Sequence, residues 1–300
     1  MKKKLTVFFL MACLMAGTAF GVENYWTGAA GDGDWMTAGN WGNGTTTPVG
    51  TLPGTTTDRA NINVAGAIVN ISASSSASAQ QLDVAYSKNP ITLNVYGELD
   101  VVVNFRVGGQ TALSNGFMNV DGGTVTANYT GGIAATTGVC YVGRAGLGTL
   151  TITNGGFVDI HNALWTSGPT ATESAGYGNI FLVDGTLHAN GWRAYNATST
   201  TGVDAARGAR DRFQMDITGG KLLLNNDRLT QMYDFANSGI LTGYGEAGYG
   251  VGHNLQIRLV EAYDPFDGTF KTMTEVTAIP EPATIMLLSM GSLILVRRKK

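Results

Sequence analysis

At 300 residues the chain is long enough to bury a substantial core, as one long domain or two ordinary ones, and its formal charge of −3 leaves no cationic excess of the kind that neutralises nucleic-acid phosphates. Charged residues make up only 14% of it, while 42 glycines are about twice the usual ~7% share. With Glu, Lys and Arg scarce, and Val, Ile and Thr alternating with Gly, Asn and Asp, the composition argues for short strands joined by tight turns, an all-β protein.

The chain opens with Lys2, Lys3 and Lys4, an apolar run from Leu5 to Ala16, and Ala19-Phe20-Gly21 with small residues at the positions a signal peptidase reads. Residues 1–21 are therefore read as a signal peptide cleaved after Gly21. The run falls short of the ~20 residues of a membrane span. Leu10-Met11-Ala12-Cys13 also permits a lipoprotein reading, but Leu14, Met15 and Ala16 carry the apolar run past Cys13. Removal of the signal leaves Cys140 as the one cysteine, so stability must come from packing without an internal disulfide. Cys140 itself reads as a small apolar residue of the strand Val139-Cys140-Tyr141-Val142 in preference to a nucleophile or an intermolecular bridge, because no His or Asp stands near it in sequence.

Residues 22–60 form a Trp-rich segment, with Trp26, Trp35 and Trp41 around Gly31-Asp32-Gly33-Asp34. The tryptophans suit either a sugar-stacking platform or, preferably, a cap over the open end of a repeat array. Asp32 and Asp34 lack the spaced carboxylates and closing Glu of a calcium loop, so no metal site or cofactor is expected.

Residues 61–262 carry a repeat. Val120-Asp121-Gly122-Gly123-Thr124-Val125, Thr153-Asn154-Gly155-Gly156-Phe157-Val158, Val183-Asp184-Gly185-Thr186-Leu187 and Ile217-Thr218-Gly219-Gly220-Lys221-Leu222 are variants of one unit, with Val95-Tyr96-Gly97-Glu98-Leu99 a weaker copy. Leu150, Ile152, Val158 and Ile160 alternate with Thr149, Thr151, Thr153 and Asp159, a period of two that predicts strands on either side of each turn. No single unit can bury its own apolar face. Stacked units can, which predicts a parallel β-helix with corners at Gly122, Gly155, Gly185 and Gly219; antiparallel hairpins in a sandwich are the alternative. Phe105-Arg106-Val107-Gly108 and Tyr141-Val142-Gly143-Arg144 mark a second repeated position, and the stretch from Tyr141 to Gly156 closely resembles the repeat shared by autotransporter passengers and PEP-CTERM proteins. That resemblance implies a right-handed β-solenoid.

Chemistry-bearing motifs are few. His161, His188 and His253 have no metal-ligand spacing, although His161 and His188 follow successive turns and could line one face. A β-helix polysaccharide lyase or hydrolase would draw on Asp204, Asp211 and Asp216 with Arg207, Arg210 and Arg212; the plainer reading is a solvated loop before the strand from Phe213 to Ile217. Two carboxylates about 5–10 Å apart beside aromatic platforms would favour the enzyme.

After a linker at 263–278, residues 279–300 hold Pro280-Glu281-Pro282, an apolar stretch from Ala283 to Val296, and the cations Arg297, Arg298, Lys299 and Lys300. The order reads as an extended motif, one short transmembrane helix and a basic stop-transfer tail. It resembles the PEP-CTERM sorting signal of bacterial exopolysaccharide producers. The resemblance implies an exosortase-type membrane processing enzyme as partner, transient anchoring in the inner membrane of a two-membrane bacterium, and delivery to the cell surface or extracellular matrix. The expectation is thus a right-handed parallel β-helix with an N-terminal cap and a C-terminal transmembrane helix. Its function would be that of an exported, non-catalytic structural or adhesive protein, with extracellular polysaccharide as a further expected partner and no contact with nucleic acid.

Overall fold

A computed structural model gives the protein's structure and describes residues 23–43, 50–54, 58–87, 90–109, 111–128, 138–166, 176–194, 213–250 and 252–280. Among these, period-two segments form two β-sheets. The 12-stranded sheet contains β1 (Glu23–Trp26), β2 (Trp41–Asn43), β3 (Arg59–Ile62), β5 (Ser76–Val84), β7 (Glu98–Val107), β9 (Thr124–Ala127), β10 (Val139–Val142), β12 (Phe157–Thr166), β14 (Thr186–Ala194), β16 (Lys221–Asn225), β19 (Leu255–Asp264) and β20 (Thr269–Ala278). The 8-stranded sheet contains β4 (Ile68–Ile71), β6 (Ile91–Val95), β8 (Asn115–Asp121), β11 (Leu147–Thr153), β13 (Tyr177–Leu182), β15 (Phe213–Ile217), β17 (Leu241–Gly243) and β18 (Glu246–Ala247).

The Gly-Gly units lie where the chain passes from the smaller sheet to the larger, between β8 and β9, β11 and β12, and β15 and β16. They are glycines for two reasons. Gly122 and Gly155 have φ of 69° and 76°, and Asn154 joins them at 52°, which makes the corner. The following glycines are needed for closeness instead: a Cβ on Gly123 would stand 2.5 Å from the Val95 carbonyl oxygen, one on Gly156 2.5 Å from that of Val120, and one on Gly220 2.5 Å from that of Gly185. Phe157 N–H donates to the Gly123 carbonyl and Thr186 N–H to that of Gly156, so each unit hangs on the one before it. The structural alignment therefore runs through Gly97, Gly123, Gly156, Gly185 and Gly220, one residue later at three positions than the first glycine of each unit. Gly156→Ala, with the Thr153 carbonyl and the Ile152 side chain also within 3.2 Å of the new carbon, should lower unfolding stability in urea by about 1–3 kcal/mol.

Between the sheets, Met118, Val120, Leu150, Ile152, Ile180 and Leu182 of the smaller one meet Val125, Val158, Ile160, Leu187, Leu222 and Leu224 of the larger, all fully buried. Each such side chain contributes about 1.5–3 kcal/mol by leaving water. Outside the smaller sheet, Asn94 Nδ2 donates to Asn70 Oδ1 and Asn119 Nδ2 to Asn94 Oδ1, both at 2.9 Å, an amide ladder across three registered strands. At the N-terminal end Trp26, Trp35 and Trp41 pack edge to face, at centroid distances of 5.2 and 4.7 Å about Trp41, and Trp41 Nε1 donates to the Trp35 carbonyl.

The expected right-handed parallel β-helix with a C-terminal transmembrane helix is corrected by this architecture. Many neighbours are parallel, β11 with β8 and β13 for example, but both sheets are mixed: β1 pairs antiparallel with β2, β17 with β18, β16 with β20 and β19 with β20. Residues 263–278, read as a linker, lie mostly in the hairpin of β19 and β20. Its turn Asp264-Pro265-Phe266-Asp267-Gly268, with Gly268 at φ 72°, reverses the chain so that β20 runs back along β16. Among the described residues no helix is long and apolar enough to cross a membrane. The one α-helix among them, α1 (Leu229–Ser238), spans about 15 Å against a hydrocarbon core of about 30 Å, and it buries Met232, Phe235 and Ala236 against the sheets before Gly239 ends it at φ 77°. The stretch read as a transmembrane helix, 283–296, lies outside the described residues.

Candidate functional site

The outer face of the larger sheet carries the candidate site. Backbone register places Asp100, Thr126, Asp159 and His188 side by side on β7, β9, β12 and β14. Asp100 accepts hydrogen bonds from Thr126 Oγ1 at 2.9 Å and Asn128 Nδ2 at 3.4 Å. Strand spacing sets Asp100 and Asp159 about 10 Å apart along this row. The turn of the terminal hairpin folds across the row, its Phe266 ring lying against His161, and leaves a groove of about 470 Å³ lined by Asp100, Thr126, Asn128, Phe157, Asp159 and Phe266.

A chain of polar side chains fastens the hairpin down. His188 Nδ1 lies 2.7 Å from Asp159 Oδ1 and Nε2 lies 3.0 Å from Asn225 Oδ1, while Asn225 Nδ2 donates to Asp264 Oδ2 at 3.1 Å. Lys271 Nζ donates to Asp264 at 2.8 Å and also reaches Asp267. Because Asn225 turns its amide nitrogen to Asp264, it offers only its oxygen to His188. Both imidazole nitrogens then face acceptors, and both are satisfied only in the imidazolium form. Burial, the largest single influence on His188, favours the neutral ring. The hydrogen bonds to Asp159 and Asn225 and the charges of Asp159 and Asp264 outweigh it and raise the pKa above its ordinary 6.5. Burial likewise pushes Asp264 upward, but the bonds from Lys271 and the Phe266 N–H leave it below its ordinary 3.8. His161, half-buried beside Phe266, is lowered chiefly by burial.

These shifts fix the pH dependence of the clasp. The His188 contribution is fully present below the unfolded value of 6.5 and is lost as pH rises through the raised folded value. The Asp264 contribution is present above 3.8 and is lost as pH falls through its depressed folded value. Thermal unfolding should therefore occur at higher temperature near about pH 6 than near about pH 9, and the difference should shrink in His188→Gln.

The other sequence candidates are placed differently. Trp26, Trp35 and Trp41 are 4%, 1% and 0% exposed, so their rings are committed to closing the core and offer no sugar-stacking face. The Asp32 carboxylate organises its own turn, receiving Thr37 Oγ1, Asn40 Nδ2 and the Asp34 N–H. Cys140 is buried in β10, which raises its thiol pKa well above the ordinary value. Asp216 accepts Thr242 Oγ1 and the Gly245 N–H, both at 2.8 Å, and so ties β15 to the turn after β17. Asp204, Asp211, Arg207, Arg210 and Arg212 lie outside the described residues, as do Gly21, Glu281, Pro282, Arg297, Arg298, Lys299 and Lys300. Pro280 is exposed at the end of the described chain.

His161 and His188 do share the outer face, but in different rows; His188 meets Asp159 instead. The sequence reading missed Asp159, Asn225, Asp264 and Lys271. A signal existed, since Asp100, Thr126, Asp159 and His188 each stand three residues after a ladder glycine. Compared with known proteins, the chain matches no family model, and neither a curated protein nor a solved structure is detectably similar to it.

Proposed function

We propose that the chain is an exported, non-catalytic structural or adhesive protein of a bacterial surface or extracellular matrix, processed at Pro280-Glu281-Pro282 by an exosortase-type enzyme. The supporting observation is that the groove's polar groups are spent on one another: Asp159 is 4% exposed and bonded to His188, and one oxygen of Asp100 is taken by Thr126 and Asn128. Carboxylates held this way brace a surface, whereas a general acid or base must reach a substrate proton. The hairpin whose turn lines the groove exposes Tyr263, Phe266 and Phe270, the kind of apolar surface that an adhesive contact uses.

Fractionation of a two-membrane host that carries an exosortase, with mass spectrometry of the product, tests the reading. The expected product is extracellular, begins at Val22 and ends near Pro282. Cytoplasmic protein retaining Met1 and intact Arg297 to Lys300 overturns it. A second reading, a glycan-active enzyme, is favoured by the placement of Asp100 and Asp159 in one groove beside Phe157 and Phe266. Release of new reducing or unsaturated sugar ends from acidic polysaccharides, lost in Asp100→Asn, would decide for it.

A further inference from the structure

A second cleft, of about 220 Å³, opens where β12, β14 and the start of α1 meet. Its walls include Asn162, Asn190, Gly191, Arg193, Arg228 and Gln231. Gln231 Nε2 donates to the Trp192 carbonyl at 2.7 Å, which fixes one wall. The Arg228 guanidinium lies along the bare backbone of Gly191, where a Cβ would stand 3.6 Å from its Nη2. The Arg193 guanidinium sits over the Trp165 ring at 5.1 Å and is exposed at the rim with Asn190.

Arg59, Arg106, Arg258 and Lys271 each have a carboxylate within salt-bridge distance. Arg193 and Arg228 have none among the described residues, and Arg228 Nε is buried without a hydrogen-bond partner among them. Two guanidinium groups in one recess with no carboxylate partner among the described residues, on a chain of net negative charge, form a place where an anion gains more than it would on open surface. Most of the named wall atoms are amides and guanidinium nitrogens, and the volume falls below the about 300–1,000 Å³ of pockets for larger apolar ligands.

We propose that this cleft is a subsite for one anionic sugar residue, a carboxylate or sulfate ester engaging Arg228 and Arg193 while ring hydroxyls meet Asn190. The inference rests on the surface or matrix reading and gives it a ligand class, an acidic polysaccharide. Planar guanidinium groups match a carboxylate bidentately, whereas the amide of Asn190 suits hydroxyls, which both donate and accept.

Calorimetric titration of the purified chain with galacturonate oligomers, sulfated dextran oligomers and neutral dextran oligomers of equal length tests it. An anionic probe should bind and the neutral one should not, and which anion binds identifies the oxyanion. Arg228→Gln and Arg193→Gln should each weaken that binding at least about tenfold, as expected for loss of a charged hydrogen bond, while Lys221→Gln, an equal charge change on the exposed start of β16, should alter it less than about twofold. Arg228→Lys keeps the charge without the fork and should fall between. Unchanged thermal unfolding midpoints confirm that the variants fold, and should Arg228→Gln fail to fold, the exposed Arg193→Gln carries the test. Absence of binding to both anionic probes, or equal weakening by Lys221→Gln, overturns the subsite while leaving the matrix reading to its own localisation test. Intracellular retention would defeat the matrix reading whatever the titration showed.

Discussion

Ile152→Asp should abolish cooperative folding. Ile152 is fully buried in β11, registered between Val120 of β8 and Leu182 of β13, and its side chain also packs on the bare backbones of Gly156 and Gly185. The residues it is registered with and packs on, Val120, Leu182, Gly156 and Gly185, offer no cation to pair a carboxylate there. An isolated buried charge costs several kcal/mol even after relaxation, while a whole domain is stable by about 5–15 kcal/mol. Circular dichroism and urea unfolding should show the loss, whereas Ile152→Val should cost only about 0.5–1.5 kcal/mol. A native-like transition in the Asp variant would mean that residue 152 does not face the core.

His188→Ala should destabilise the protein by about 3–5 kcal/mol, because it leaves the Asp159 carboxylate, itself 4% exposed, without its cationic partner and strips Asn225 of a donor. Replacing both members by apolar residues, Asp159→Val with His188→Leu, should recover much of that loss, since removing a buried pair costs far less than orphaning one member. Denaturant unfolding of the four members of this cycle checks both statements. If the double variant is as unstable as the sum of the singles, the two side chains act independently and the clasp does not couple them.

The fold's repeating parts were readable because they are local. Alternation of Leu150, Ile152, Val158 and Ile160 follows from the two-residue period of a strand and needs no tertiary information. Phe105-Arg106-Val107-Gly108 and Tyr141-Val142-Gly143-Arg144, noted in the sequence as one repeated position, fall at the ends of the adjacent strands β7 and β10, where Arg106 stands opposite Tyr141 and Val107 opposite Val142. The mixed character of the sheets was not readable in this way. The alternating residues of β19 and β20, with Asp267-Gly268 between them, had the signature of a hairpin, yet nothing local says that β20 returns to β16.

Composition and spacing by themselves determined that this is a turn-rich β protein, that its Gly-Gly units are corners, and that Leu150, Ile152, Val158 and Ile160 face inward, because these properties depend on residues within one turn of each other. Tertiary structure alone decided the rest: that the tryptophans close the core, that β19 and β20 end the larger sheet antiparallel, and that Asp159, His188, Asn225, Asp264 and Lys271 meet. The physical reason is the range of the interactions. A hydrogen bond between residues such as Asp159 and His188, 29 positions apart, or Asn225 and Asp264, 39 apart, exists only once the backbone register of separate strands is set, and register is a property of the whole sheet.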